Sequence, residues 1–87
     1  MNNIEIKSIR ELLGLNQLQF AQLMGVHPLT VSKWERGVAS PNDYQIAFLS
    51  QYQVAAKNKK VRDELKNVLV AAGVIAAVFL LLQASKK

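Results

Sequence analysis

Four consecutive stretches of the chain carry apolar residues at helical spacing, and a glycine closes each of the first three. Ile4, Ile6, Ile9, Leu12 and Leu13 predict a first amphipathic helix that Gly14 ends. Asn16 fits an N-cap, with Gln19 three residues on completing a capping box. From there a second helix runs to about Met24, with Leu18, Phe20, Ala21, Leu23 and Met24 as its mostly buried positions. Gly25 supplies a tight turn, because glycine adopts left-handed backbone without penalty. His27 and Pro28 then fit N-cap and first helical residue of a third helix, which runs to about Arg36 and stops at Gly37. After Pro41, Asn42 and Gln45 form another capping box for a fourth helix carrying Tyr44, Ile46, Ala47, Phe48, Leu49 and Tyr52. The head, residues 1–53, has no strand pattern, repeat or low-complexity tract.

Beyond Val54 the pattern changes. Residues 54–67 form a basic linker or charged helix. From Val68 to Leu82 every residue is apolar or Gly, and nothing from Asn67 to Ser85 is charged. At about 1.5 Å per residue the apolar run spans roughly 22 Å, short of a hydrocarbon core of about 30 Å. Counted from Lys66 to Lys86 it reaches about 30 Å, with lysines able to snorkel at both ends. A helix apolar all round needs apolar surroundings. With most cations on its N-terminal side, residues 68–85 are expected to form a hydrophobic C-terminal helix anchoring a cytoplasmic head in the bacterial inner membrane. A second expectation competes. Val61, Leu65, Val68, Ala72, Ile75, Phe79 and Leu82 follow a heptad seam suited to a dimerisation helix. Gly73 and Ala77 form a small-xxx-small pair that would let two such helices approach. Both routes lead to a homodimer.

Composition narrows the chemistry. The 87 residues allow one small domain with an extension. Cysteine is absent and there is one His, which excludes a disulfide framework, a thiolate zinc site and a multi-histidine metal cluster. No cofactor motif, nucleophile constellation or paired-carboxylate arrangement stands out, so an enzyme is not expected. The start of the chain is polar and has no secretory pattern, which argues for a cytoplasmic head. The net charge of +5 is unevenly placed: Lys7, Arg10, Lys33 and Arg36 of residues 1–53 are balanced by Glu5, Glu11, Glu35 and Asp43. The excess lies in Lys57, Lys59, Lys60, Arg62 and Lys66, set against Asp63 and Glu64, and in Lys86 and Lys87. Basicity is therefore no argument that the head binds nucleic acid.

The motif is a stronger one. Two short helices joined at Gly25-Val26-His27 form a helix-turn-helix. Leu15-Asn16-Gln17-Leu18-Gln19-Phe20-Ala21-Gln22-Leu23-Met24-Gly25-Val26 and Val31-Ser32-Lys33-Trp34-Glu35-Arg36-Gly37 resemble the second and third helices of the Cro/C1-type (XRE) family. The resemblance covers about residues 4–52. It implies an all-α, lambda-repressor-like head of four or five short helices, with the third in the major groove of double-stranded DNA. Carried over by position, it implies Pro28, Leu29, Ser32 and Lys33 facing bases, and Gln17, Thr30, Arg36 and Ser40 facing phosphates. Arg10 and Glu35 match a structural ion pair between helices one and three. Lys33 can donate to guanine O6 and N7, Ser32 can donate or accept, and Leu29 can pack on a thymine methyl. Pro28 offers apolar contact only. Trp34 is expected in the packing between helices and His27 in a cap.

The expected function is sequence-specific transcription regulation, most simply repression by occupying an operator. Two alternatives stand beside it. The neutral head, basic stretch and apolar helix also resemble the layout of bacterial cytoskeletal adaptors that hold a protein filament with a helix-turn-helix head. A soluble repressor of a phage or mobile element, paired through its C-terminal helix, is the other.

Overall fold

Asn2, Asn16 and Asn42 each accept, through the side-chain oxygen, the backbone N–H of the residue three positions on. Glu5, Gln19 and Gln45 accept the capping residue's own N–H in return. These reciprocal pairs satisfy N–H groups that a helix start leaves free, and they open three of the six helices among the described residues. The structure, a computed structural model, describes residues 1–85. Its elements are α1 (Asn3–Leu12), α2 (Gln17–Met24), α3 (Pro28–Glu35), α4 (Asp43–Ala56), α5 (Lys59–Ala72) and α6 (Val74–Ala84). The fold is all-α, as the motif implied.

The turn between α2 and α3 shows how local sequence sets it. Gly25 takes φ +68°, its N–H reaching the Gln22 carbonyl while Val26 N–H reaches Ala21. This pair of bonds ties off the end of α2. Equivalent pairs close α1 at Gly14 and α3 at Gly37. Ile6, Leu13, Phe20, Val31, Leu49 and Tyr52 form the buried centre on which α1 to α4 converge. Not every apolar position turns inward. Leu18, expected to be mostly buried, is 55% exposed, and Tyr44 is 83% exposed. Each lies in the first turn of its helix, before the inward face begins.

The C-terminal half differs from expectation, and the membrane anchor is corrected with it. Residues 68–85 do not form one hydrophobic helix: α5 stops at Ala72 and α6 starts at Val74. Gly73 between them has φ +93° and ψ 179°, a backbone conformation open to glycine and essentially no other residue. The chain folds back there, and α6 packs on α4 and α2 as well as on α5. Ala77 and Leu81 are buried completely. Among the described residues no helix is long and apolar enough to cross a membrane.

The physical reason is a vacancy the linear pattern did not reveal. α4 continues past Tyr52 to Ala56, Ala55 and Ala56 are buried, and both α5 and α6 pack on α4. The boundary expected after residue 53 thus falls inside α4, and residues 54–67 are divided between α4, a short break and the first half of α5. The heptad seam is also split: Val61 and Leu65 are buried in the chain's own core, while Ile75 and Phe79 are exposed. Ala77 is enclosed within its own chain, so the Gly73/Ala77 pair is not a face for a partner helix. Lys86 and Lys87 lie outside the described residues.

Candidate nucleic-acid interface

α3 begins with a preformed cap. His27 Nδ1 accepts the Leu29 N–H at 3.0 Å, and Pro28 occupies the first helical position, where it has no N–H to leave unpaired. Val31 and Trp34 lie one turn apart and are buried, at 0% and 2% exposure. At 3.6 residues per turn their direction fixes the opposite one: Pro28, Leu29, Ser32 and Lys33 share the outward face. Leu29 and Lys33 are exposed, and Pro28 and Ser32 half-buried. All four base-facing candidates are therefore together on one side of α3.

The rear of α3 is clamped to α1. Arg10 Nε and Nη2 donate to Glu35 Oε2 and Oε1 at 2.6 and 2.8 Å, a two-pronged pair with side-chain exposures of 13% and 5%. Arg10 Nη1 also donates to the Leu15 carbonyl at 2.9 Å, which extends the clamp to the start of α2. Asn3 Nδ2 adds a bond to the Glu35 carbonyl. Burial pushes the Glu35 carboxyl upward, but hydrogen bonds from Arg10 and Gln17, with the charges of Arg10 and Lys7, outweigh it and hold the group below its usual range. Arg10 and Glu35 thus meet as the resemblance implied.

The four phosphate candidates are in different circumstances. Gln17 is half-buried and its amide donates to Glu35 Oε1 at 3.2 Å, so it belongs partly to the clamp. That leaves one of its two amide hydrogens for another acceptor. Thr30 is half-buried in the first turn of α3. Arg36 is exposed and donates through Nε to Ser32 Oγ at 3.2 Å, bringing a phosphate candidate against a base-facing one. Ser40 is exposed in the loop after α3. That loop is tied back by Val38 and Ala39, whose N–H groups both reach the Lys33 carbonyl.

One structural contributor was not anticipated. The Tyr52 hydroxyl donates to the Leu23 carbonyl at 2.9 Å, holding the end of α2 just before the turn. Burial pushes this phenol up to about 12. Twenty-nine residues separate the two partners, and no local pattern joins them.

The sequence model of the helix-turn-helix family matches residues 6–52, from α1 into α4. No curated protein and no solved structure matches the chain.

Proposed function

The chain belongs to the Cro/C1-type helix-turn-helix family of DNA-binding transcription regulators, and from that premise we propose that it is a repressor whose α3 reads operator DNA in the major groove. The observation that carries this reading is the outward face of α3, with Leu29 and Lys33 in solvent while Val31 and Trp34 anchor the helix from behind. Lys33 donates to guanine O6 and N7, Leu29 packs on a thymine methyl, Ser32 bonds to a base edge, and Pro28 makes apolar contact. Gln17, Thr30, Arg36 and Ser40 hold the flanking phosphates and set the register. Repression follows from occupancy, since a bound head excludes other proteins from the same duplex. Such work belongs in the cytoplasm, and a homodimer would engage two half-sites about 34–36 Å apart.

The adaptor alternative depended on a membrane helix, and among the described residues none is present. The test of DNA reading is selection of the full chain against a random duplex pool. A short enriched motif with a required guanine is the expected result. An unenriched pool overturns the proposal.

A further inference from the structure

The head has no net charge with which to hold a polyanion, since the four Lys and Arg of residues 1–53 are matched by four Asp and Glu. The excess comes next along the chain, outside the residues 6–52 that match the family. α5 carries Lys59, Lys60, Arg62 and Lys66 against Asp63 and Glu64. Val61, Leu65 and Leu69 are the buried line of this helix, and they divide its surface into two flanks. At 3.6 residues per turn, Lys59, Arg62 and Lys66 fall along one flank, within about 60° of one another. Lys60 and Glu64, four residues apart, fall on the other. Three of the four cations therefore form one stripe.

Its members differ in what already engages them. Arg62 is half-buried and donates through Nη1 to the Ala56 carbonyl at 2.7 Å, which leaves other N–H groups of the guanidinium for an anion. Lys59 pairs with Asp63 at 2.7 Å, but both side chains are mostly in solvent, so exchanging that partner costs little. Lys66 is exposed and has no ion-pair partner among the described residues. Its Cε lies over Gly14, 3.9 Å from the point a β-carbon there would occupy. From Gly14 the chain reaches Gln17, a phosphate candidate at the start of α2, in three residues, at most about 11 Å. One strand of a duplex carries a phosphate every 3.4 Å or so of helix axis, so a strand held at Gln17 passes within a few phosphates of Lys66. We propose that the Lys59–Arg62–Lys66 stripe of α5 is a second phosphate-binding surface, which extends the track of the duplex beyond the start of α2, with Lys66 as its leading contact. The choice of duplex DNA as the ligand rests on the DNA-binding reading. The stripe itself reads no sequence, because an ammonium on a phosphate carries no base information.

The experiment is fluorescence anisotropy of the full chain with the selected operator duplex and with a scrambled duplex, at salt concentrations from about 50 to 200 mM. Each phosphate contact steepens the log–log salt slope by about 0.9, so a lost contact makes the fall in affinity over this fourfold range about 3.5-fold smaller. Lys66→Gln is expected to show that change and to weaken both duplexes by the same factor. Lys59→Gln combined with Lys66→Gln is expected to make the fall about 12-fold smaller, two contacts being lost. Lys66→Arg keeps the wild-type slope. So does Lys60→Gln, which removes the same charge from the other flank of α5. Circular dichroism checks that each variant keeps its helix content. A Lys66→Gln slope equal to that of Lys60→Gln overturns the proposal, as does a loss confined to the operator duplex. Flotation with phosphatidylglycerol vesicles that Lys66→Gln abolishes, with the DNA slope unchanged, overturns it in favour of a lipid surface. Base reading is scored separately, as preference for the operator over the scrambled duplex. Loss of that preference alone sinks base reading and leaves the stripe standing, whereas an unchanged slope does the reverse; a chain that binds neither duplex sinks both.

Discussion

Arg10→Met removes the guanidinium that locks α3 to α1 while keeping much of the apolar stem. Two hydrogen bonds to Glu35 and one to the Leu15 carbonyl disappear. Glu35, 5% exposed at its side chain, keeps only the Gln17 amide. Breaking a buried ion pair from one side costs about 3–5 kcal/mol, because the remaining charge is left uncompensated. The lower figure fits, since Arg10 retains 13% exposure and Gln17 remains on the carboxylate. A loss of about 3 kcal/mol lowers Tm by about 12–24 °C in a domain of this size, at about 4–8 °C per kcal/mol. The assay is thermal and urea denaturation followed by circular dichroism. Adding Glu35→Leu to Arg10→Met is expected to recover most of the loss, since the lone buried charge is gone.

The pH dependence has a definite sign. Glu35 is held below its usual value in the fold, so the unfolded chain binds its proton first. Its stabilisation is present above the unfolded value of about 4.3 and is lost as pH falls through the lower folded value. The gap between wild type and Arg10→Met is therefore full at neutral pH and narrows in acid. A variant within about 1 kcal/mol of wild type at neutral pH, against the expected range, would refute the clamp. A double variant as unstable as the single one would refute the mechanism.

The raised Tyr52 phenol makes stability fall as pH rises from its usual 10 towards about 12. Tyr52→Phe is expected to cost about 1–2 kcal/mol at neutral pH by leaving the Leu23 carbonyl unpaired, and to flatten that alkaline decline in a urea titration. His27→Ala removes the α3 cap and should cost about 1 kcal/mol, with His27→Asn recovering it in the same titration. Gly73→Ala meets no atom within 4 Å but forces alanine into glycine-only backbone, so chemical denaturation should show a loss of about 1–3 kcal/mol.

The elements most visible in the sequence are those decided within a few residues. The Asn16–Gln19 and Asn42–Gln45 boxes, the His27-Pro28 helix start and the turn at Gly25 depend on near neighbours, and each forms where the pattern puts it. The Arg10–Glu35 pair was legible only through the family resemblance, because 25 residues separate its members. The run from Val68 to Leu82 was least legible. A stretch that is uniformly apolar satisfies a membrane helix, a heptad seam and a buried hairpin equally well. Its outcome depends on the packing of α6 against α4 and α2, a tertiary fact that no window along the chain contains. Among the interface candidates, Pro28, Leu29, Ser32 and Lys33 were legible only through the family resemblance, and the buried direction of Val31 and Trp34 puts the four on one side of α3. The engagement of Gln17 with Glu35 and of Arg36 with Ser32 needed side-chain placement.

Fluorescence anisotropy at one fixed salt concentration shows whether the outward face of α3 reads bases. Wild type and Lys33→Ala are titrated against the selected operator duplex and against a scrambled duplex of the same length. Lys33→Ala is expected to weaken operator binding by about 1–3 kcal/mol, roughly 5- to 150-fold, and to leave scrambled-duplex binding nearly unchanged. An equal loss on both duplexes, or no loss on either, would contradict it.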